Sequence, residues 1–537
     1  MDFKDKFLHL ARLVKHGQFH RIPPLVLRYN DYKEFDALHP SEEELARQRR
    51  SIPGRQYRYG IVISAESNDS KKTMATIRSV REQTYCKFEY KVCRNLQEIK
   101  DYIASVNADY IIFANEGDIF SKGALWSINR YIKYTKAECL YTDEKKYDSS
   151  FDDGNEFVFK PDYALYTLKS FNYIGHFGVF AKSLLKRMDS VDVYELFLRV
   201  SAFTKVRHLD KELVFTRMDY VPDYEKELSV VNAFLTDSEC DEGYTRSNIE
   251  GIYRPIVNLK DTPKVSILIP NKDNVKILKT CLDSIWNKTS YSNYEIVIVE
   301  NNSEEEQTFA YYEEIKDRVN IVTWVGGWNY AAINNFGYKY TTGEYILLLN
   351  SDTEVINPAW IEEMLVFAQK SDIGIVGAKL FFPNGQIQHA GVTVGILGVA
   401  GHAFHEYDRD ARGYMNRAVS VQELSAVTAA CLMIKRSVFD QVGGFNEGYA
   451  VAFNDVDLCL RVRKAGFKVI YTPYATLYHH ESITRGTDTQ SEEKMKRFAG
   501  EVDRFKRDWR DFLYGGDPYY NRNLSLENDC FQVAQER

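Results

Sequence analysis

Three polar clusters stand where apolar runs end, and each carries side chains able to do chemistry. The first is Asn350-Ser351-Asp352, which follows the apolar run Tyr345 to Leu349. Such a run reads as a buried strand, and open α/β sheets bind ligands at the carboxyl ends of their strands. A carboxylate there suits a divalent cation bridging a diphosphate, and oxygen ligands favour Mg2+ or Mn2+. The same Asp would also suit a strand-end turn or a helix cap, since Asn357-Pro358-Ala359-Trp360 follows. The second cluster, Asn454-Asp455-Val456-Asp457, opens a helix with Leu458, Leu460, Val462 and Ala465 as apolar positions and Gly466 as its stop. Acids in a first turn complement the helix dipole. One of them would also serve as a general base, because transfer to a hydroxyl needs a carboxylate within hydrogen-bond reach. The third is His479-His480, at the end of a β-rich run. A lone His is usually structural, but a pair at a strand end can supply one imidazole to a metal. The order of acidic turn, Asp pair and His pair is more specific than any one of them.

The elements that must position these residues form two βαβ patterns. One starts near Tyr57, with RYGIVISA, TMATIRSVREQTY and ADYIIFANEGD. The other starts at Lys264, with VSILIPNKDN, ILKTCLDSIWNKTSY, YEIVIVENNS and GEYILLLNSDTEV. Apolar strands alternating with amphipathic helices predict parallel sheets buried on both faces. The halves read as a repeat, SVREQTY against SIWNKTSY and DYIIFANEGD against EYILLLNSDT, which places Gly117 on Asp352. The expected organisation is an N-terminal helical segment (1–55), a first α/β domain (56–258), a second (259–490) and a helical extension (491–537). Phe3, Phe7, Leu10 and Val14 make an amphipathic stripe among basic residues, expected either to dock on a neighbouring domain or to lie on an anionic membrane. Ser41 and Glu44 predict a capping box.

Composition narrows the class. In 537 residues, 69 Lys and Arg stand against 76 Asp and Glu, a net charge of −7, which argues against nucleic acid or a general polyanion as partner. The eight cysteines include no C-x-x-C pair and read as reduced thiols. The small-and-apolar run Gly391 to Gly401 is about half the ~20 residues a membrane span needs. The N-terminus lacks a signal-peptide core. A cytoplasmic multidomain enzyme is the expectation.

Taken together, VSILIPNKDN, YEIVIVENNS, WNYAAINNFGYKYTTGEYILLLNSDTEV, IQHAGVTVG, GGFNEGYAVAFNDVDLCLR and YHHES-x-x-RG resemble the family 2 glycosyltransferases with a GT-A fold. The likeness is greatest to the bacterial group making rhamnose-containing and other cell-surface polysaccharides, and covers about Lys264 to Gly486. It implies that Pro270, Asn271, Asp273 and Glu300 line the nucleoside pocket, and that Asn329 and Asn335 approach the nucleotide. It makes Asp352 the metal-binding acid, with Asn350 at the first position of that motif and Ser351 between them. Asp455 matches the catalytic base, with Asn454 and Asp457 beside it on the substrate side, and His479 or His480 completes the metal site. His389 and His402 fall in a loop flanking donor and acceptor and are given no chemistry. The implied reaction is inverting and uses Mn2+ or Mg2+. The implied donor is a dTDP- or UDP-sugar, with rhamnose the first choice. The acceptor would be a glycan or a lipid-linked sugar, met at the inner membrane face through residues 1–20. FKPDYALYTLKSFNYIGHFGVF resembles the same family, so the first domain is expected to be a degenerate copy that has lost its metal acid at Gly117. An active second centre using Asp118 and Asp143 is its alternative. From other classes, a non-catalytic carbohydrate-binding scaffold is the runner-up. A nucleotidyltransferase would need a glycine-rich phosphate loop, and IPNKDN has no glycine.

Overall fold

A computed structural model describes residues 41–50, 56–65, 70–147, 156–188, 190–237, 243–259, 261–480 and 491–534. The stripe of residues 1–20 and the Thr484-Arg485-Gly486 end of the YHHES-x-x-RG stretch lie outside them.

Two sheets carry the chain. In the first, Tyr59–Ser64 pairs in parallel with Phe88–Cys93 on one side and Tyr110–Asn115 on the other. Beyond Tyr110–Asn115 come Gly178–Ala181, Cys139–Tyr147, Arg207–Arg217 and Ile119–Phe120. In the second, Val265–Asn271 lies parallel between Tyr294–Asn301 and Tyr345–Leu349. Beyond Tyr345–Leu349 come Cys431–Lys435, Ile373–Phe381, Lys468–His479 and Thr353–Val355. The order is the same strand for strand, and the second sheet adds Asn320–Trp324 at its edge. The internal repeat is therefore a repeat of topology, with Gly117 and Asp352 in equivalent turns.

The parallel expectation holds for half of each sheet. Val265–Asn271 is buried at every position, as a strand covered on both faces must be. Cys431–Lys435 arrives from a largely irregular stretch instead of over a crossover helix, and it runs antiparallel to Tyr345–Leu349. An apolar run alone does not distinguish the two directions.

The repeats are joined by more than their linker. Helix Leu165–Ser170 of the first packs on strand Gln422–Leu424 of the second. There the Tyr166 amide donates to Glu423 (2.8 Å) and the Glu423 amide to Thr167 Oγ1 (2.8 Å). The C-terminal tail reaches both repeats. Asp517 accepts from the Val394 amide (3.0 Å) and Ser425 Oγ (2.6 Å) in the second. Asn521 Nδ2 donates to Asp143 (2.9 Å) and to the Lys160 carbonyl (2.9 Å) in the first. At the start of helix Glu42–Arg50, Ser41 Oγ accepts from the Glu44 amide (3.1 Å), as the capping box predicts, while the Glu44 side chain pairs with Arg47 and Gln48.

Candidate active site

The turn after Tyr345–Leu349 is set by local bonds. The Asn350 amide donates to the Ala430 carbonyl (3.1 Å), and Thr353 Oγ1 donates back to the Asn350 carbonyl (3.0 Å). The next strand, Thr353–Val355, pairs antiparallel with the end of Lys468–His479 and puts Thr353 opposite His479. That register brings His479 Nε2 to 3.3 Å from Asp352 Oδ1 and 3.3 Å from Asn350 Nδ2. Asp352 and His479 are 7% and 6% exposed. Burial opposes the Asp352 charge, but His479 beside it, a backbone hydrogen bond and the charge of His480 together outweigh burial and hold the carboxyl below its ordinary range. His480, the next residue, faces Glu354 at 3.7 Å, so of the two histidines His479 is the one against Asp352. Among the described residues no group of three or more His, Cys, Asp and Glu is arranged to hold a metal.

Helix Asn454–Lys464 presents Asp455 in its first turn, as the sequence pattern predicts. Asp455 Oδ2 accepts from the Ala429 amide (3.1 Å), and Oδ1 from the Val456 amide (2.8 Å). The segment Thr428–Ala430 is the meeting point. Its carbonyls accept from the Asn350 amide and, at Ala429, from Tyr330 Oη (3.2 Å), while its amides reach Asp455 and His389 Nε2 (3.4 Å). Burial, then the charges of Asp455 and Asp352, push the Tyr330 phenol up, so both carboxylates act on one half-buried ring. His389 is fully buried, and burial, His402 and His479 together hold it well below its ordinary value. Its Nε2 accepts from an amide, so the proton sits on Nδ1, which donates to His402 Nδ1 (2.8 Å).

The expected nucleoside residues gather at the carboxyl ends of Val265–Asn271 and Tyr294–Asn301. Pro270 and Asn271 are buried in strand register with Val299 and Glu300. Glu300 accepts from Tyr312 Oη and Ser303 Oγ (both 2.7 Å), and Tyr312 Oη accepts from Asn271 Nδ2 (2.9 Å). Asp273 Oδ1 accepts from the Glu304 and Glu305 amides (2.8 and 3.0 Å). Asp273, Asn274 and Asn302 all hold positive φ (50°, 53° and 54°), strain of the kind that collects at ligand sites.

Other expected substrate residues have different tasks. Asn329 caps helix Tyr330–Tyr338 through the Ala332 amide (3.0 Å) and holds the Glu447 carbonyl (2.9 Å). Asn335 bonds the Phe445 amide and carbonyl (2.9 and 3.0 Å). Both amides thus fix the loop leading to Asp455. Asn454 Nδ2 turns back to the Val451 carbonyl (2.6 Å). Asp457 was expected on the substrate side, but its oxygens go to Arg461 (2.7 Å) and Trp509 Nε1 (2.9 Å). Two residues beyond Asp455, it lies on a different helix face. Ser351 lies in the turn between Asn350 and Asp352 and is half-buried.

Three contributors had no sequence signal of their own: Tyr330, the Thr428–Ala430 segment and Glu501. Glu501, on helix Glu492–Asp508, accepts from the Val451 and Ala452 amides (2.9 and 3.1 Å) just before Asp455.

Residues 266–443 match the model of the family described as "Glycosyl transferase family 2". These residues form a family 2 glycosyltransferase domain. The match contains Asp352, while Asp455 and His479 lie beyond its end. An uncharacterized protein, y4gI, of Sinorhizobium fredii is 33% identical over 94% of this chain and 61% of its own length. The O-antigen biosynthesis protein RfbC of Myxococcus xanthus is 34% identical over 80% of this chain and 35% of its own length. An N-acetylglucosaminyl-diphospho-decaprenol L-rhamnosyltransferase of Mycobacterium tuberculosis is 43% identical over 12% of this chain and 21% of its own. The chain thus spans less than two thirds of the length of each. The family 2 domain has a mixed α/β sheet preceded by a second sheet of the same strand order, which agrees with a tandem α/β chain. Among the described residues no helix is long and apolar enough to cross a membrane.

Proposed function

We propose that the family 2 domain is an inverting, metal-dependent transferase centre that moves a sugar from a nucleotide-diphosphate donor to a hydroxyl of a glycan or lipid-linked acceptor. One juxtaposition carries the reading: Asp352 faces His479, Asp455 is held on Ala429, and both carboxylates act on Tyr330. Asp352 and His479 would hold the cation. A carboxylate suits Mg2+ or Mn2+, and the imidazole favours the softer Mn2+. Two protein ligands leave positions for diphosphate oxygens, the usual arrangement at such sites. When bound, the cation supplies charge neutralisation for the departing diphosphate.

The remaining work falls to the chain. The strand ends at Asn271 and Glu300 offer the nucleoside a rigid floor, because their side chains are already tied to Tyr312 and Ser303. Asp455 would take the acceptor proton as that hydroxyl attacks the anomeric carbon opposite the leaving group, which inverts its configuration. The Ala429 amide keeps the carboxylate oriented before substrate arrives. The O-antigen protein and the rhamnosyltransferase among the relatives support a cell-surface polysaccharide product, with rhamnose from dTDP or UDP the first donor to try. For residues 1–20, contact with the cytoplasmic membrane face rests on their sequence pattern.

The first repeat is proposed to be retired. At Gly117, where the second repeat has Asp352, a Cβ would lie 2.6 Å from Arg217 Cδ, so an internal cation packs against the equivalent turn. Asp118 is buried against His176 (2.8 Å), and Asp143 is engaged by His208, Asn521 and the Lys160 amide.

The deciding experiment is Asp455→Asn in a transfer assay with nucleotide-sugar binding measured alongside. Transfer should fall by about 10²- to 10⁴-fold, with donor binding retained. Normal turnover by the variant would remove Asp455 as the base.

A further inference from the structure

A cavity of about 420 Å³ opens between the first repeat, the C-terminal tail and helix Asn454–Lys464. That volume falls within the range of small-molecule sites, about 300–1,000 Å³. None of the transfer-site residues lines it. Its charged lining is Lys205, Arg207, Lys211, Arg463 and Arg522, with His208, against Asp162 and Asp210. This is a local reversal, since acids outnumber bases in the chain as a whole. Both acids are engaged: Asp210 holds Arg522 (2.8 Å), and Asp162 faces His208 Nδ1 (3.4 Å). Basic side chains outnumber acidic ones in the lining, which favours an anionic ligand. Tyr131, Tyr163 and Tyr519 supply the aromatic part of the wall, beside Val206, Leu209 and Pro518. The hydroxyls of Tyr131 and Tyr163 are committed to the carbonyls of His208 (2.9 Å) and Phe197 (2.7 Å), and Arg463 lies over the Tyr519 ring at 5.0 Å. Cations beside aromatic surface suit a ligand with an anion on an otherwise stackable ring.

We propose that this pocket binds an acidic saccharide, a sugar unit bearing a carboxylate or a phosphate, with its anion on the Arg and Lys side chains and its ring against the tyrosines. Arg463 sits eight residues after Asp455 on one helix, about 12 Å along its axis. Its Nη1 also donates to Ser425 Oγ (2.7 Å), which in turn holds the tail through Asp517 (2.6 Å). A bound acid would thus touch both the helix that carries the proposed base and the tail that joins the repeats. The proposal does not depend on transfer activity, because its readout is binding.

The test is calorimetric titration of the full chain with tetragalacturonate, maltotetraose and inorganic phosphate. Tetragalacturonate should bind measurably better than the other two. Arg207→Gln combined with Lys211→Gln should weaken it about tenfold. Lys205→Gln, at an exposed position, should weaken it several-fold with an unchanged thermal midpoint, which keeps the test valid if the double variant misfolds. Asp455→Asn should bind it as the wild type does. Four outcomes would overturn the proposal: no binding of the acidic probe at millimolar concentration, equal binding of the neutral one, equal binding of phosphate alone, or unchanged affinity in folded variants.

Discussion

At the scale of single residues, His479 and His480 show how one register decides between neighbours. Side chains alternate across a strand, so adjacent histidines cannot face the same way. His479, the last residue of its strand, lies opposite Thr353 and reaches Asp352 in the turn before that strand, while His480 lies by Glu354. His479→Ala should therefore weaken Mn2+ binding by at least the ~10- to 100-fold typical of losing even an outer-shell partner, and His480→Ala should leave it near wild type. Calorimetric Mn2+ titration of both variants checks this, and equal losses would undo the assignment. The sequence singled out the pair, but the choice lies in a contact with a strand more than a hundred residues away. Asp457 is the converse case. It reads as an acid beside the proposed base, yet Trp509 and Arg461 take its oxygens, and the partnership with Trp509 has no local sequence signature. Gly117 aligns with Asp352 in the sequence, but what keeps an acid out of its position is structural. Its φ is +92°, and Arg217 fills the space beside it. Gly117→Asp should cost roughly 1–3 kcal/mol of stability by urea unfolding and create no Mn2+ site in the first repeat.

At the scale of elements, the helix of Asp455 depends on a neighbour outside the matched family residues. The residue before it, Phe453, holds φ +63° and Asn454 follows directly, so the chain enters the helix through a strained turn. Helix Glu492–Asp508 keeps that turn in place. Glu501 accepts from two of its amides, and Phe498 and Phe505 pack on the Phe453 ring. The sequence predicts a helical extension over 491–537, and the structure has helix Glu492–Asp508 there. The sequence did not show which face meets Val451 and Ala452, because those contacts are long-range. Glu501 is proposed as a positioning residue for Asp455, and Glu501→Gln should expose the difference. Weakening a charge-assisted bond costs about 1.5–3 kcal/mol at most, so the domain should remain folded. The misplaced carboxylate should lower kcat about tenfold while the donor KM holds. A fall in donor affinity with kcat intact would mean that Glu501 supports the donor side instead.

At the scale of the whole molecule, two sheets of one strand order are clasped by a tail that makes buried polar bonds to both. Such a clasp needs every group satisfied, and Asp143 shows how this is done. Fully buried, it receives Asn521, the Lys160 amide and His208 Nε2 at 2.8 Å. Burial alone would lower the His208 pKa, but Asp143 and Asp162 outweigh it and push it up to about 10 from an ordinary 6.5. The folded molecule therefore binds this proton more tightly than the unfolded chain does. The resulting stability is fully present below 6.5 and fades as pH rises towards about 10. The thermal midpoint of the wild type should fall across that interval. His208→Gln keeps a hydrogen-bond donor for Asp143 but has no proton to lose in that range. It should be less stable at the acid end and show little change in midpoint over the interval, so that the two curves converge at high pH. Parallel curves for the two proteins would place the alkaline loss of stability elsewhere, and the clasp would then be indifferent to the charge on His208.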